Sequence, residues 1–215
     1  MICMAGLSRG RQIRYNKFGM NLANRITFAR FCIPPVLIPA LLTDMRGGKC
    51  LALALFTVGA LTDWLDGLLA RRYGMESDFG RLMDPLADKL LVISALVCFV
   101  VMPPQVVRAW MLVIIIAREF IVTGLRQLAL QQHTVMSAEA IGKHKTAWQM
   151  IGIFALLTYY AMGDLASVLP AALVRFCMAH GPRYLSALFY LITLLTLVSG
   201  VIYLWRYRSL YSQHT

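Results

Sequence analysis

Negative charge is scarce in this chain. Only ten of its 215 residues are acidic, against 21 lysines and arginines, for a formal net charge of +11. Charged residues of both signs make up 14% of the sequence, where a soluble domain carries about 25%. Hydrophobic residues reach 59%, and the mean hydropathy is +0.66. This shortage excludes an ordinary water-soluble domain and indicates an integral membrane protein. In a soluble protein the basic excess would suggest nucleic acid. Here cytoplasm-facing loops and anionic headgroups of the lipid bilayer account for it, and no nucleic-acid partner is expected. Cysteine is also sparse: Cys3, Cys32, Cys50, Cys98 and Cys177 are odd in number and far apart. That excludes a disulfide framework and zinc-type spacing, and leaves small packing residues. Four scattered histidines suggest no catalytic role. Residues 5–25 are polar and basic and lack the short apolar core of a cleaved signal. No internal repeat or low-complexity segment is evident.

What the chain has in quantity is apolar runs. Six stretches stand out: Ile26–Leu42, Cys50–Ala70, Leu86–Met102, Trp110–Leu130, Trp148–Met162 and Leu185–Trp205. Their length and continuity predict helices, since lipid tolerates only helices or closed barrels and these runs are too long for barrel strands. Gly47 and Gly48 mark a short turn. Basic residues concentrate at alternate connections: Arg9, Arg11, Arg14, Lys17 and Arg25 at the N-terminus, then Arg71, Arg72 and Arg81, then Lys143 and Lys145, then Arg206 and Arg208. The bias places both termini in the cytoplasm. The expected fold is all-α, an integral membrane protein of six transmembrane helices with its active site at the cytoplasmic side. Residues 21–215 form this multi-pass domain in the cell membrane (inner or plasma membrane), behind a basic N-terminal tail, 1–20, in which Met20 offers a second start. Segment 164–183 reads as an interfacial helix broken at Pro170. Tyr203, Trp205, Tyr207 and Tyr211 read as an interfacial aromatic belt.

Six of the ten acids fall between positions 63 and 88, in DWLDGLLARRYGMESDFGRLMDPLAD. On a helix Asp63 and Asp66 share a face with Gly67 and Ala70, and Asp84 shares one with Asp88. Any one aspartate has a plainer account. Asp84 before Pro85 resembles an N-cap, Asp88 could pair with a basic neighbour, and Asp63 and Asp66 could sit at a wet helix end. Two carboxylate pairs brought together in a low-dielectric setting repel and call for cations between them. Hard oxygen donors in that number suit Mg²⁺ or Mn²⁺, two ions balancing four carboxylates.

The spacing Asp63-x2-Asp66-Gly67-x2-Ala70-Arg71-x8-Gly80-x3-Asp84-x3-Asp88 resembles the signature of the CDP-alcohol phosphatidyltransferase family, with every signature position present. The resemblance implies a six-helix membrane enzyme, generally a homodimer. It implies a two-metal site at Asp63, Asp66, Asp84 and Asp88, with Asp88 also the general base. Asp66, Gly67, Ala70, Arg71 and Gly80 would line the CDP-diacylglycerol site.

The signature does not name the acceptor alcohol. Arg118 lies deep in an apolar run, and an intramembrane arginine is a functional candidate. Arg126 lies about 80° further round the same helix, and Lys143 and Lys145 stand at the entry to the fifth stretch. Such a set suits a phosphate dianion. The plainer accounts are pairing of Arg118 with Glu119 or another acid, and a positive-inside loop for the lysines. The run from Arg118 to Arg126 and the G-K-x-K-T turn resemble the phosphatidylglycerophosphate synthase branch of the family. So does the first-span entry, with Asn24, Thr27 and Arg30 in matching places but Ala23 where the branch often has proline. That resemblance implies glycerol 3-phosphate as acceptor, held by Arg118, Arg126, Lys143 and Lys145, and adds Asn24 and Thr27 to the CDP-diacylglycerol contacts. The competing readings are a related transferase with another acceptor (a cardiolipin synthase, or one using inositol phosphate or serine) and a divalent-cation transporter. Against the transporter, the acids lie at one membrane face and no span is symmetrically broken.

Overall fold

The computed structural model describes residues 20–73, 78–131 and 140–208; within these it does not describe the side chains of 20–29, 64–73, 78–85, 88, 130–131 and 140–144. All regular structure among the described residues is helical: α1 Met20–Leu42, α2 Gly48–Tyr73, α3 Asp78–Val101, α4 Ala109–Gln131, α5 Ala140–Asp164 and α6 Ala171–Arg206. The connections are short, so successive helices run back and forth. The turn from α1 to α2 depends on Gly47, whose φ of +79° lies in the left-handed region that glycine enters without steric cost.

The helices extend past the apolar runs that predicted them. α3 begins at Asp78, so Asp84 and Pro85 lie inside it and the N-cap reading of Asp84 is wrong. Segment 164–183 is not a helix of its own. The chain turns after Asp164, and from Ala171 it runs through Pro182 into the last helix without interruption. Pro170 marks the start of α6, where its missing N–H breaks no helical bond.

Neighbours in space follow the order α3, α1, α2, α5, α6, α4 and back to α3, a closed ring. The two ends of this ring differ. Towards the 43–47, 102–108 and 165–170 connections the interior is apolar, built from Leu37, Leu41, Phe56, Leu96, Phe99, Met111, Leu156 and Phe189. Phe56 meets Phe154 edge-on at 5.2 Å between centroids, and Phe99 stacks on Tyr160 at 5.9 Å. Towards the other end the buried residues turn polar: Arg30, Arg118, Lys145, Gln149, Thr196 and Ser199.

The outward faces are apolar as well. Val58, Leu61, Val113, Phe120, Leu194 and Val201 all stand exposed. A continuous apolar exterior of this kind is a liability in water. Among the described residues α6 is the helix long and apolar enough by itself to cross a membrane, and Arg30–Leu42 and Lys89–Val101 are shorter apolar helical segments. Among the described residues, the charges of Arg118, Glu119 and Lys145 on α4 and α5 belong to the polar end of the interior.

Candidate active site

Five of the six helices bring charged side chains into the polar end. The first junction joins α1 to α2. Arg30 Nη1 donates to Asp63 Oδ1 at 3.0 Å. Arg30 is 1% exposed and Asp63 48%, so a buried cation fixes a carboxylate that still faces outward. The helices can close at this level because Gly59, one turn before Asp63, has no side chain: a Cβ there would lie 2.7 Å from Leu91 Cδ2 and 3.2 Å from Ile33 Cδ1.

The second junction centres on Glu119 of α4. Its Oε1 accepts from Arg118 Nη1 at 3.2 Å and from Lys145 Nζ of α5. Arg118 and Lys145 are both buried. Arg118 Nη2 donates to Ser199 Oγ of α6 at 2.8 Å, and its guanidinium lies over the Tyr203 ring, 5.6 Å from the centroid. Beside it, Gly200 leaves room for the stem, since a Cβ there would sit 3.1 Å from Arg118 Cγ. The buried Arg118 Nε has no hydrogen-bond partner. α3 joins through Lys89, whose Nζ donates to Thr123 Oγ1, and that hydroxyl donates in turn to the Glu119 carbonyl oxygen at 2.7 Å.

The predicted residues are therefore distributed as follows. Arg118 and Lys145 are brought together, through Glu119. Arg126 is exposed, two turns nearer the end of α4. The pairing of Arg118 with Glu119 occurs, and it does not occupy the whole guanidinium. Lys145 is a buried helical residue, so the positive-inside-loop account does not hold for it. Asp66, Gly67, Ala70 and Arg71 lie on α2, Gly80, Asp84 and Asp88 on α3, Asn24 and Thr27 on α1, and Lys143 on α5. The side chains of these ten lie outside the described residues. Tyr203, read from sequence as part of an interfacial belt, is 3% exposed and is a wall of the arginine site instead. Trp205 is exposed and stacks under Arg208.

Sequence reasoning gave no binding or catalytic role to Arg30, Lys89, Ser199 or Tyr203, although it noted Arg30 in the first-span entry and Tyr203 in an aromatic belt. The signals were present but weak: one arginine and one lysine at the edges of apolar runs, and a Ser-Gly pair inside the last one.

The family model described as CDP-alcohol phosphatidyltransferase covers residues 20–197. The chain belongs to the CDP-alcohol phosphatidyltransferase family. It is similar to the CDP-diacylglycerol–glycerol-3-phosphate 3-phosphatidyltransferase of Bacillus subtilis (strain 168), 37% identical over 201 residues, which cover 88% of this chain and 94% of the relative. It is also similar to the protein of the same name from Rickettsia bellii (strain RML369-C), 33% identical over 141 residues, 66% of this chain and 77% of the relative.

Proposed function

We propose that this protein transfers the phosphatidyl group of CDP-diacylglycerol to glycerol 3-phosphate, releasing CMP and forming phosphatidylglycerophosphate. The observation that carries the reading is the meeting of two buried cations, Arg118 and Lys145, at the end of the bundle where α2 and α3 carry the acidic signature. A buried guanidinium and ammonium at one point suit a phosphomonoester, which bears about −1.5 to −2 charge at pH 7. The names of the relatives point to the same acceptor.

The acidic set fits a divalent cation. All its members offer hard oxygen, and Asp63, anchored through one oxygen by Arg30, keeps its carboxylate half-exposed, where a cation can reach it. Asp63, Asp66, Asp84 and Asp88 would hold Mg²⁺ or Mn²⁺, two ions in all. When bound, such ions supply positive charge against the pyrophosphate and the departing CMP. Asp66, Gly67, Ala70, Arg71 and Gly80, with Asn24 and Thr27, hold CDP-diacylglycerol. Arg118, Arg126, Lys143 and Lys145 hold the acceptor's phosphate. Asp88 takes the proton of the acceptor hydroxyl as its oxygen bonds to phosphorus and the bond to CMP breaks.

The setting that agrees with this chemistry is a bilayer crossed six times. Helices of 23–26 residues are about 35–39 Å long, enough for a hydrocarbon core of about 30 Å. The basic connections put both termini and the site in the cytoplasm, at the cell membrane, with two copies forming a homodimer.

The test is CMP release from CDP-diacylglycerol across an acceptor panel of glycerol 3-phosphate, phosphatidylglycerol, serine and inositol phosphate. Turnover confined to glycerol 3-phosphate is expected, and it should stop on chelation and resume with Mg²⁺ or Mn²⁺. Preference for any other member of the panel would assign the protein elsewhere in the family.

A further inference from the structure

One face of α6 is shaped around a single arginine. Ser199, Gly200 and Tyr203 fall within about 100° of one another around that helix, and each meets a different part of Arg118. Gly200 lies against the stem, where a Cβ would come within 3.1 Å of Cγ and 3.7 Å of Cβ. Ser199, fully buried, accepts from Nη2 at 2.8 Å. The Tyr203 ring covers the guanidinium.

Neutralising the charge does not require this arrangement. Glu119, the next residue on α4, already brings a carboxylate oxygen to 3.2 Å from Nη1. That oxygen is shared with Lys145, and one shared oxygen holds a planar head at one corner without fixing its rotation. Ser199 holds a second corner from a different helix. With two corners and a face engaged, the guanidinium has a single orientation. Nε is the nitrogen left without a hydrogen-bond partner, and it is buried. A buried donor without an acceptor is unfavourable, and the oxygen of an anion relieves it.

We propose that Ser199 is a positioning residue for the acceptor: it holds the Arg118 guanidinium in the orientation that receives the phosphate, and makes no contact with substrate itself. The proposal rests on the reading of glycerol 3-phosphate as acceptor, with Arg118 in its seat, and deepens it. An arginine side chain has large rotamer freedom, and its planar fork matches an anion only in a defined plane. Ser199 removes that freedom before the substrate arrives, so binding does not have to. The last helix thereby takes part in acceptor recognition, although it carries none of the acidic signature.

The test separates the two substrates' KM values and kcat in the full-length protein in lipid–detergent micelles. Ser199→Ala should raise the KM for glycerol 3-phosphate about two- to tenfold, the range for having to immobilise one long side chain on binding, with far smaller changes in the KM for CDP-diacylglycerol and in kcat. Because Ser199 acts through Arg118, its effect should vanish in an Arg118→Ala background, so that the double variant keeps the KM of Arg118→Ala alone. Effects that multiply in the double variant would overturn the proposal, since Ser199 would then act on the site by another route. Equal rises in both substrates' KM would overturn it too, as a general disturbance of α6. Ser199→Cys, close in size but a weak acceptor, should lie between wild type and Ser199→Ala. It decides the matter if the alanine variant does not fold, since a wild-type KM in Ser199→Cys would then overturn the proposal. If the wild type uses glycerol 3-phosphate and Ser199→Ala keeps its KM, this proposal fails and the functional reading stands. If the wild type ignores glycerol 3-phosphate and turns over with an uncharged alcohol, both fail together.

Discussion

The candidate site residues differ in how openly the sequence announces them. The four aspartates stood out as candidates because their spacing matches a family signature and negative charge is rare elsewhere. Arg118 was legible because an arginine deep in an apolar run demands a reason. Its partners were not, because Ser199 and Tyr203 lie eighty or more positions away and nothing local links them to it. Glu119 was visible only as a neutraliser of Arg118, since one-dimensional spacing cannot show that the same oxygen also takes Lys145. Two predictions belong at this scale. Arg118→Ala should raise the KM for glycerol 3-phosphate about ten- to hundredfold, as expected for one lost charge-assisted bond, while the KM for CDP-diacylglycerol changes far less. Arg118→Lys should recover only part, because an ammonium cannot reach Glu119 and Ser199 at once. A defect lying wholly in CDP-diacylglycerol binding would remove Arg118 from the acceptor seat. Asp88→Asn should lower turnover by about 10² or more, the scale of general-base loss, with CDP-diacylglycerol binding better kept than in Asp63→Asn. Near-normal turnover of Asp88→Asn at saturating metal would reassign the base.

At the level of helices, sequence reading found six segments in the right places and misjudged their ends. Apolar runs locate the part of a helix that faces lipid or core, whereas the helix itself continues as long as backbone hydrogen bonding does. α3 therefore starts at Asp78 although its apolar run begins at Leu86, and the last helix reaches back to Ala171 although its run begins at Leu185. Close approach between helices was equally hidden, because a glycine in an apolar run looks the same whether it packs or merely fills. Gly59 and Gly200 make that difference testable. Gly59→Leu would drive a side chain into Leu91 and Ile33 and should destabilise the α1–α2–α3 junction by about 1–3 kcal/mol, the usual effect of overpacking, read as earlier thermal unfolding in detergent. Gly200→Val should press on Arg118 instead and raise the KM for glycerol 3-phosphate with little change for CDP-diacylglycerol. Equal losses for both substrates would show that α6 had shifted as a whole.

For the whole molecule, the order of helices around the ring was beyond sequence reading, because six helices of similar hydropathy can be arranged in many ways and loop length constrains only adjacent pairs. The proposed orientation rests on the distribution of basic residues and can be checked directly. In a variant freed of its own cysteines, new cysteines at Arg46 and at His180 should react with a membrane-impermeant reagent from outside the cell only; labelling of either solely from the cytoplasm would invert the topology. The ring order 3-1-2-5-6-4 also has a consequence for biosynthesis. α4 emerges from the ribosome with Arg118 in place, but Ser199 follows 81 residues later. Throughout that interval an arginine sits in a nascent apolar segment whose final wall does not yet exist, and in the proposed bilayer setting a lone arginine is unfavourable. Glu119, the very next residue, can travel with it as a counter-ion and shield it until α6 arrives. The aspartate-bearing half is complete when α3 has been made. The proposed acceptor half becomes complete only with the last helix, so a chain that stalls before α6 would carry the family signature but lack Ser199 and Tyr203 around Arg118.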